Sequence, residues 1–146
     1  MFLQFIQFIA TLAAALFTGA AIYINWAEHP ARLECGTELA ATVFGPSYKR
    51  ASVMQVFLAL TATLGSVVSW VVNGQLSWLI GAIVMFSVIP FTLIVIMPTN
   101  KKLLDPNLDR KALATKELLV RWGKLHAVRS VLGLLATLIF LLLKGN

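Results

Sequence analysis

The chain has 146 residues, of which 59% are hydrophobic and 12% charged, and its mean hydropathy is +0.84. That balance excludes an ordinary soluble domain, in which about 25% of residues are charged, and indicates helices packed within a membrane. A net charge of +6 would suit a nucleic-acid binder, but the basic residues flank apolar runs, where positive-inside bias accounts for them, so no nucleic-acid partner is expected.

Four apolar stretches, residues 2–26, 51–72, 76–97 and 125–143, are each long enough to cross about 30 Å of hydrocarbon at about 1.5 Å per residue. The fold expected is therefore an all-α integral membrane protein, residues 1–146 forming one four-helix bundle with both termini on the same side. The first stretch has no basic residue ahead of it, since the first Lys or Arg is Arg32, and it reads as a retained span rather than a signal peptide. The Glu28-His29-Pro30-Ala31-Arg32 segment is expected to end that helix, because Pro30 lacks an N–H and disfavours helical geometry at His29. Cys35 is the only cysteine, which rules out an intramolecular disulfide and a cysteine-based zinc cage.

Gly45-Pro46-Ser47 reads as a turn that opens the second helix, on which Tyr48, Ser52 and Gln55 share one face at spacing i, i+4, i+7. The Asn73-Gly74-Gln75 connection is short enough to make the second and third helices antiparallel neighbours. Pro90 should loosen the third helix, with Ser87 or Thr92 able to compensate locally, and Asn100 follows that helix's exit at Pro98. Asp105-Pro106 has the form of an N-cap and first helical position, and the helix it opens should continue through Lys116 and Glu117 into the last span.

Charge sets the expected orientation. Residues 25–50 contain Arg32, Lys49 and Arg50. Residues 98–124 contain Lys101, Lys102, Arg110, Lys111, Lys116, Arg121 and Lys124, against Lys144 alone at the far end. Both basic loops should be cytoplasmic and both termini outside, in an inner or plasma membrane.

The last helix enters the membrane through Arg121-Trp122-Gly123-Lys124-Leu125-His126-Ala127-Val128-Arg129, which places Trp122, His126 and Arg129 on one face. Ionisable groups at that depth are costly unless paired or solvated, and they mark a functional site by default. The topology brings His29 and Arg32, Tyr48 and Gln55, Asn100, and the Trp122 stripe to one end of the bundle. Such a cluster suits a small apolar or aromatic ligand held by few polar groups. A histidine there can deprotonate a phenol or carbon acid and an arginine can stabilise the anion, which can react with dioxygen. His126, Arg129, His29 and Arg32 are the catalytic candidates; Tyr48, Gln55, Asn100 and Trp122 are the substrate-binding ones. His29 and His126 could instead be axial ligands of a haem, or the cluster could be the structural lock of a non-catalytic accessory subunit. Read singly, Trp122 and Trp26 suit interfacial anchors, and Arg129 suits pairing with Glu28 or a lipid phosphate. The sequence leaves a homo-oligomer open.

His29–Arg32 (HPAR), Gly45–Arg50 (GPSYKR), Pro98–Leu103 (PTNKKL) and Arg121–Gly133 (RWGKLHAVRSVLG) resemble the anthrone-oxygenase-like family of small four-helix membrane proteins, and the resemblance covers nearly the whole chain. It implies oxidation of an anthrone to an anthraquinone by dioxygen without an added organic cofactor, as in characterised fungal members. It also implies functional roles for His29, Arg32, Asn100, Trp122, His126 and Arg129.

Overall fold

The structure is a computed structural model that describes residues 1–142, and its described residues are helical apart from short connections. Leu143, the last residue of the fourth expected span, and Lys144 lie outside the described residues. Helix α1 spans Phe2–Tyr23 and passes through a first π turn, Ile24–Glu28, into α2, His29–Glu34. Helix α3 spans Thr37–Asn73. Helix α4, Leu76–Phe91, passes through a second π turn, Thr92–Ile96, into α5, Met97–Leu103, and α6 spans Leu113–Leu142. The result is four rods, each long and apolar enough to cross a membrane, which is consistent with an integral membrane protein.

The rods are longer than the apolar stretches, and the boundaries expected at Pro30, Pro46, Pro98 and Asp105 are corrected. Pro30 does not end the first helix. The His29 N–H bonds to the Ile24 carbonyl, five residues back, and Met97 bonds likewise to Thr92. Each wide turn stands immediately before a His-Pro or Met-Pro pair, where a regular α-helix would set the proline ring against the carbonyl four residues earlier. The chain therefore stays helical to Glu34, and residues 25–50 are a pair of helical walls joined at Cys35-Gly36, where Gly36 takes φ +94°. Pro46 lies inside α3 rather than at its start, so Gly45-Pro46-Ser47 is not a turn. Asp105 does not cap a helix either. Its Oδ1 accepts the Asn107 N–H at 2.9 Å and Asp109 Oδ1 accepts that of Lys111 at 3.0 Å, two side-chain turns that postpone α6 to Leu113.

The hairpin at Asn73-Gly74 forms as expected, with Gly74 left-handed at φ +69° and Asn73 Oδ1 accepting the Gln75 N–H. Around Pro90, Ser87 donates to the Val84 carbonyl and Thr92 to that of Val88. Both bonds go to backbone carbonyls beside the proline, and α4 continues through it.

Packing runs round the bundle in the order α1, α3, α4, α6. The core between α1 and α3 is built of Ala10, Ala13, Ala14, Ala59 and Ala62, small side chains that let backbones approach closely where water supplies no driving force. Trp78 and Phe140 stack at 5.2 Å to tie α4 to α6. Gly81 admits that ring: a Cβ there would lie 2.2 Å from Phe140 Cε1. Gly81→Ala should therefore cost about 1–3 kcal/mol of bundle stability, the usual scale for overpacking, read as a lower melting temperature in detergent micelles. The outer surface carries Phe5, Phe57, Leu64, Ile83, Leu93 and Leu141, all exposed, as lipid-facing positions require. Thr18 meets Thr137, Asn25 meets Gly123 and Glu28 meets Ser47, so neighbouring rods are antiparallel and the ionisable cluster sits at the end away from the Asn73–Gln75 turn.

Candidate functional site

Trp122 on α6 is the centre of the cluster. It is buried, not an interfacial anchor, whereas Trp26 is 84% exposed and fits that role. The indole Nε1 donates to Asn100 Oδ1 at 2.8 Å, and Asn100 Nδ2 donates to the Tyr48 hydroxyl at 3.0 Å, linking α6, α5 and α3. Its ring meets His126 at 4.8 Å, His29 at 5.0 Å and Phe44 edge-on at 5.2 Å, with the Arg32 guanidinium carbon 5.9 Å from its centroid. Asn100 can face Trp122 because the second π turn and Pro98 carry the helix on past the apolar run.

The two histidines differ in what they leave free. His29 Nε2 lies 2.9 Å from the Leu119 carbonyl, which can only accept, so Nε2 bears the hydrogen and the buried Nδ1 has no partner among the described residues. The ring occupies space that Gly123 leaves open, since a Cβ at Gly123 would lie 2.7 Å from His29 Cδ2. An imidazole is what this glycine admits. His126 Nδ1 lies 2.7 Å from Asn25 Oδ1, and Asn25 Nδ2 donates to the Gly123 carbonyl at 2.9 Å, which fixes the amide's orientation. Asn25 Oδ1 also accepts from Ser130 at 2.7 Å. His126 therefore donates through Nδ1, and its Nε2 is left as an acceptor nitrogen with no hydrogen-bond partner among the described residues.

Arg129 is buried and meets no carboxylate among the described residues. Its Nη2 donates to Gln55 Oε1 at 2.6 Å, its guanidinium carbon lies 5.7 Å from the Phe17 ring centroid, and its Nε has no partner among the described residues. Glu28, the partner considered from the sequence, instead lies 3.7 Å from Arg32 and accepts from Ser47 at 2.6 Å. A buried guanidinium held by a neutral amide keeps its charge uncompensated, which favours an anion beside it.

Two cavities meet at these groups. The inner one, about 20 Å³, is lined by Arg32, Ser47, Tyr48, Gln55, Trp122, His126 and Arg129, among others, and has room for about one water-sized molecule. The outer one, about 490 Å³, lies along α3, α4 and the second π turn and is mostly apolar. Tyr48, Ser52, Gln55 and Arg129 line both. The structure thus brings together all eight residues expected from the sequence. It adds Asn25, Ser47, Phe44 and Ser130. Asn25 had a visible signal, an amide inside an apolar run; Phe44 had none.

A haem between His29 and His126 does not fit. His29 Nε2 is engaged by the Leu119 carbonyl, both rings lie against Trp122, and the cavity at His126 is far smaller than a porphyrin. Among the described residues no group of three or more His, Cys, Asp or Glu side chains could hold a metal ion.

The family described as "Anthrone oxygenase" matches residues 44–139. The chain is also similar to "Anthrone oxygenase tpcL" of Aspergillus fumigatus, at 28% identity over 143 residues that cover 91% of this chain and 89% of that protein. No solved structure matches.

Proposed function

This chain belongs to the anthrone oxygenase family, and on that premise we propose that it oxidises an aromatic, polycyclic or quinol-like molecule with dioxygen, using His126 as the base and Arg129 as the anion's partner. The observation that carries the reading is that His126, whose Nε2 has no hydrogen-bond partner among the described residues, lines one chamber with Arg129, which meets no carboxylate among them. Asn25 holds the base in its reactive tautomer, as a second hydrogen-bonding group commonly does for a catalytic imidazole. Trp122 packs against the ring and fixes its plane.

The reaction balances without a further reductant. His126 Nε2 removes a proton from the activated carbon, and the electron pair moves onto the ring oxygen, which faces Arg129. The anion gives electrons to dioxygen and a C–O bond forms. His126 returns its proton to the outer oxygen. Loss of the second C–H proton with O–O cleavage then leaves a carbonyl and water, so one oxygen atom enters the product and the other leaves as water. His29 and Arg32, on the other face of the cluster, would support the anion and the ring packing. Tyr48, Gln55 and Asn100 would orient the substrate edge.

Lys49, Arg50, Lys101, Lys102 and the other basic residues at this end support a cytoplasmic face for the site, with both termini on the opposite side. The test is oxygen uptake by vesicle-reconstituted protein supplied with anthrone. One dioxygen consumed per quinone formed is expected. No uptake above protein-free vesicles, across anthrones and quinols, would remove the reading.

A further inference from the structure

Resting on that reading of the site, we infer that the substrate is a bilayer-dissolved aromatic molecule that reaches His126 and Arg129 sideways, through the cleft between α3 and the second π turn. The outer cavity's rim is made of side chains that face lipid. Val53 is 73% and Leu93 59% exposed, and Phe57 stands beside them on α3. Its inner wall is Phe17, Ala59 and Val88, all buried, and its polar end is Tyr48, Ser52, Gln55 and Arg129. A volume of about 490 Å³ falls within the range of small-molecule pockets.

Two surface cavities at the aqueous end, of about 400 and 420 Å³, are lined by neither His126 nor Arg129. Above the histidines, Phe44, Leu103, Leu119 and Trp122 form a buried apolar layer, with Phe44 stacked on Tyr48 at 5.6 Å and edge-on to Trp122. The inner chamber has space for about one small molecule such as water or dioxygen, so a ring system must lie in the outer cavity with only its reacting edge at the chamber. The cleft wall is also where the helix is least regular. Pro90 removes a donor, and residues Thr92–Ile96 form the π turn, a feature that often adjoins functional sites. A ligand that arrives by this path is apolar over most of its surface and carries one oxygen-bearing edge for Arg129.

The probe is anthrone in anaerobic phosphatidylcholine vesicles, followed by stopped-flow quenching of the protein's tryptophan fluorescence, so that binding is read without turnover. Val53→Phe with Leu93→Phe narrows the rim. Val71→Phe with Ile83→Phe alters exposed lipid-facing positions that do not line the cavity. The rim pair should slow association about tenfold or more, and the control pair should leave it at the wild-type rate. Equal association rates in both pairs overturn the lateral route, and failure of the wild-type protein to bind anthrone overturns the substrate class with it. Rim-dependent binding without turnover in air leaves the route standing and removes the oxygenase reading.

Discussion

His126→Gln lowers turnover about 10²–10⁴-fold, the range that a positioned general base contributes, while the protein remains folded. Glutamine supplies an amide N–H that can still donate to Asn25 Oδ1, so the contact that joins α6 to the first π turn is retained. What is lost is the imidazole nitrogen that takes the proton in the proposed reaction. The expected split is a fall in kcat with little change in KM, because the apolar cavity that binds the ring system does not include His126. Oxygen uptake over a range of anthrone concentrations, together with melting temperature in micelles, measures both quantities. Asn25→Leu should give a smaller loss of the same kind, since it frees the tautomer without removing the imidazole.

Arg129→Met separates catalysis from structure more sharply. Removing a group that stabilises developing negative charge costs about 10²–10³-fold in kcat, and methionine keeps most of the side chain's length and its contact with Phe17. Stability should move the other way. Among the described residues, buried Arg129 has one hydrogen bond, to a neutral amide, and no carboxylate, so its desolvation is not offset by an ion pair there, and replacing such a charge with an apolar side chain is often neutral or stabilising. A non-catalytic lock predicts the opposite: lower stability, with no activity to lose. Turnover and melting temperature measured on the same preparation distinguish the two accounts.

Where the site depends on a single helix, the sequence disclosed it. Trp122, His126 and Arg129, and likewise Tyr48, Ser52 and Gln55, share faces because the α-helix repeats every 3.6 residues, and the structure keeps both stripes. Their convergence with His29 and Asn100 followed from four antiparallel spans. Helix ends were less legible. Pro30 and Pro98 signal a helix end locally and Gly45-Pro46-Ser47 a helix start, yet all three rods run through these prolines, two of them by inserting a π turn. Partner choice was least legible. Asn25 reaches His126 across 101 positions of sequence, and Arg129 chooses Gln55 because Glu28 is already engaged by Ser47 and Arg32.

The fate of the oxygen atoms tests the account at its centre. Wild-type protein in vesicles, given anthrone under ¹⁸O₂ in unlabelled water, should form a quinone with one labelled oxygen and an equal amount of labelled water, and His126→Gln should form neither above background. Quinone oxygen derived from water, or label uptake that His126→Gln leaves unchanged, would contradict it.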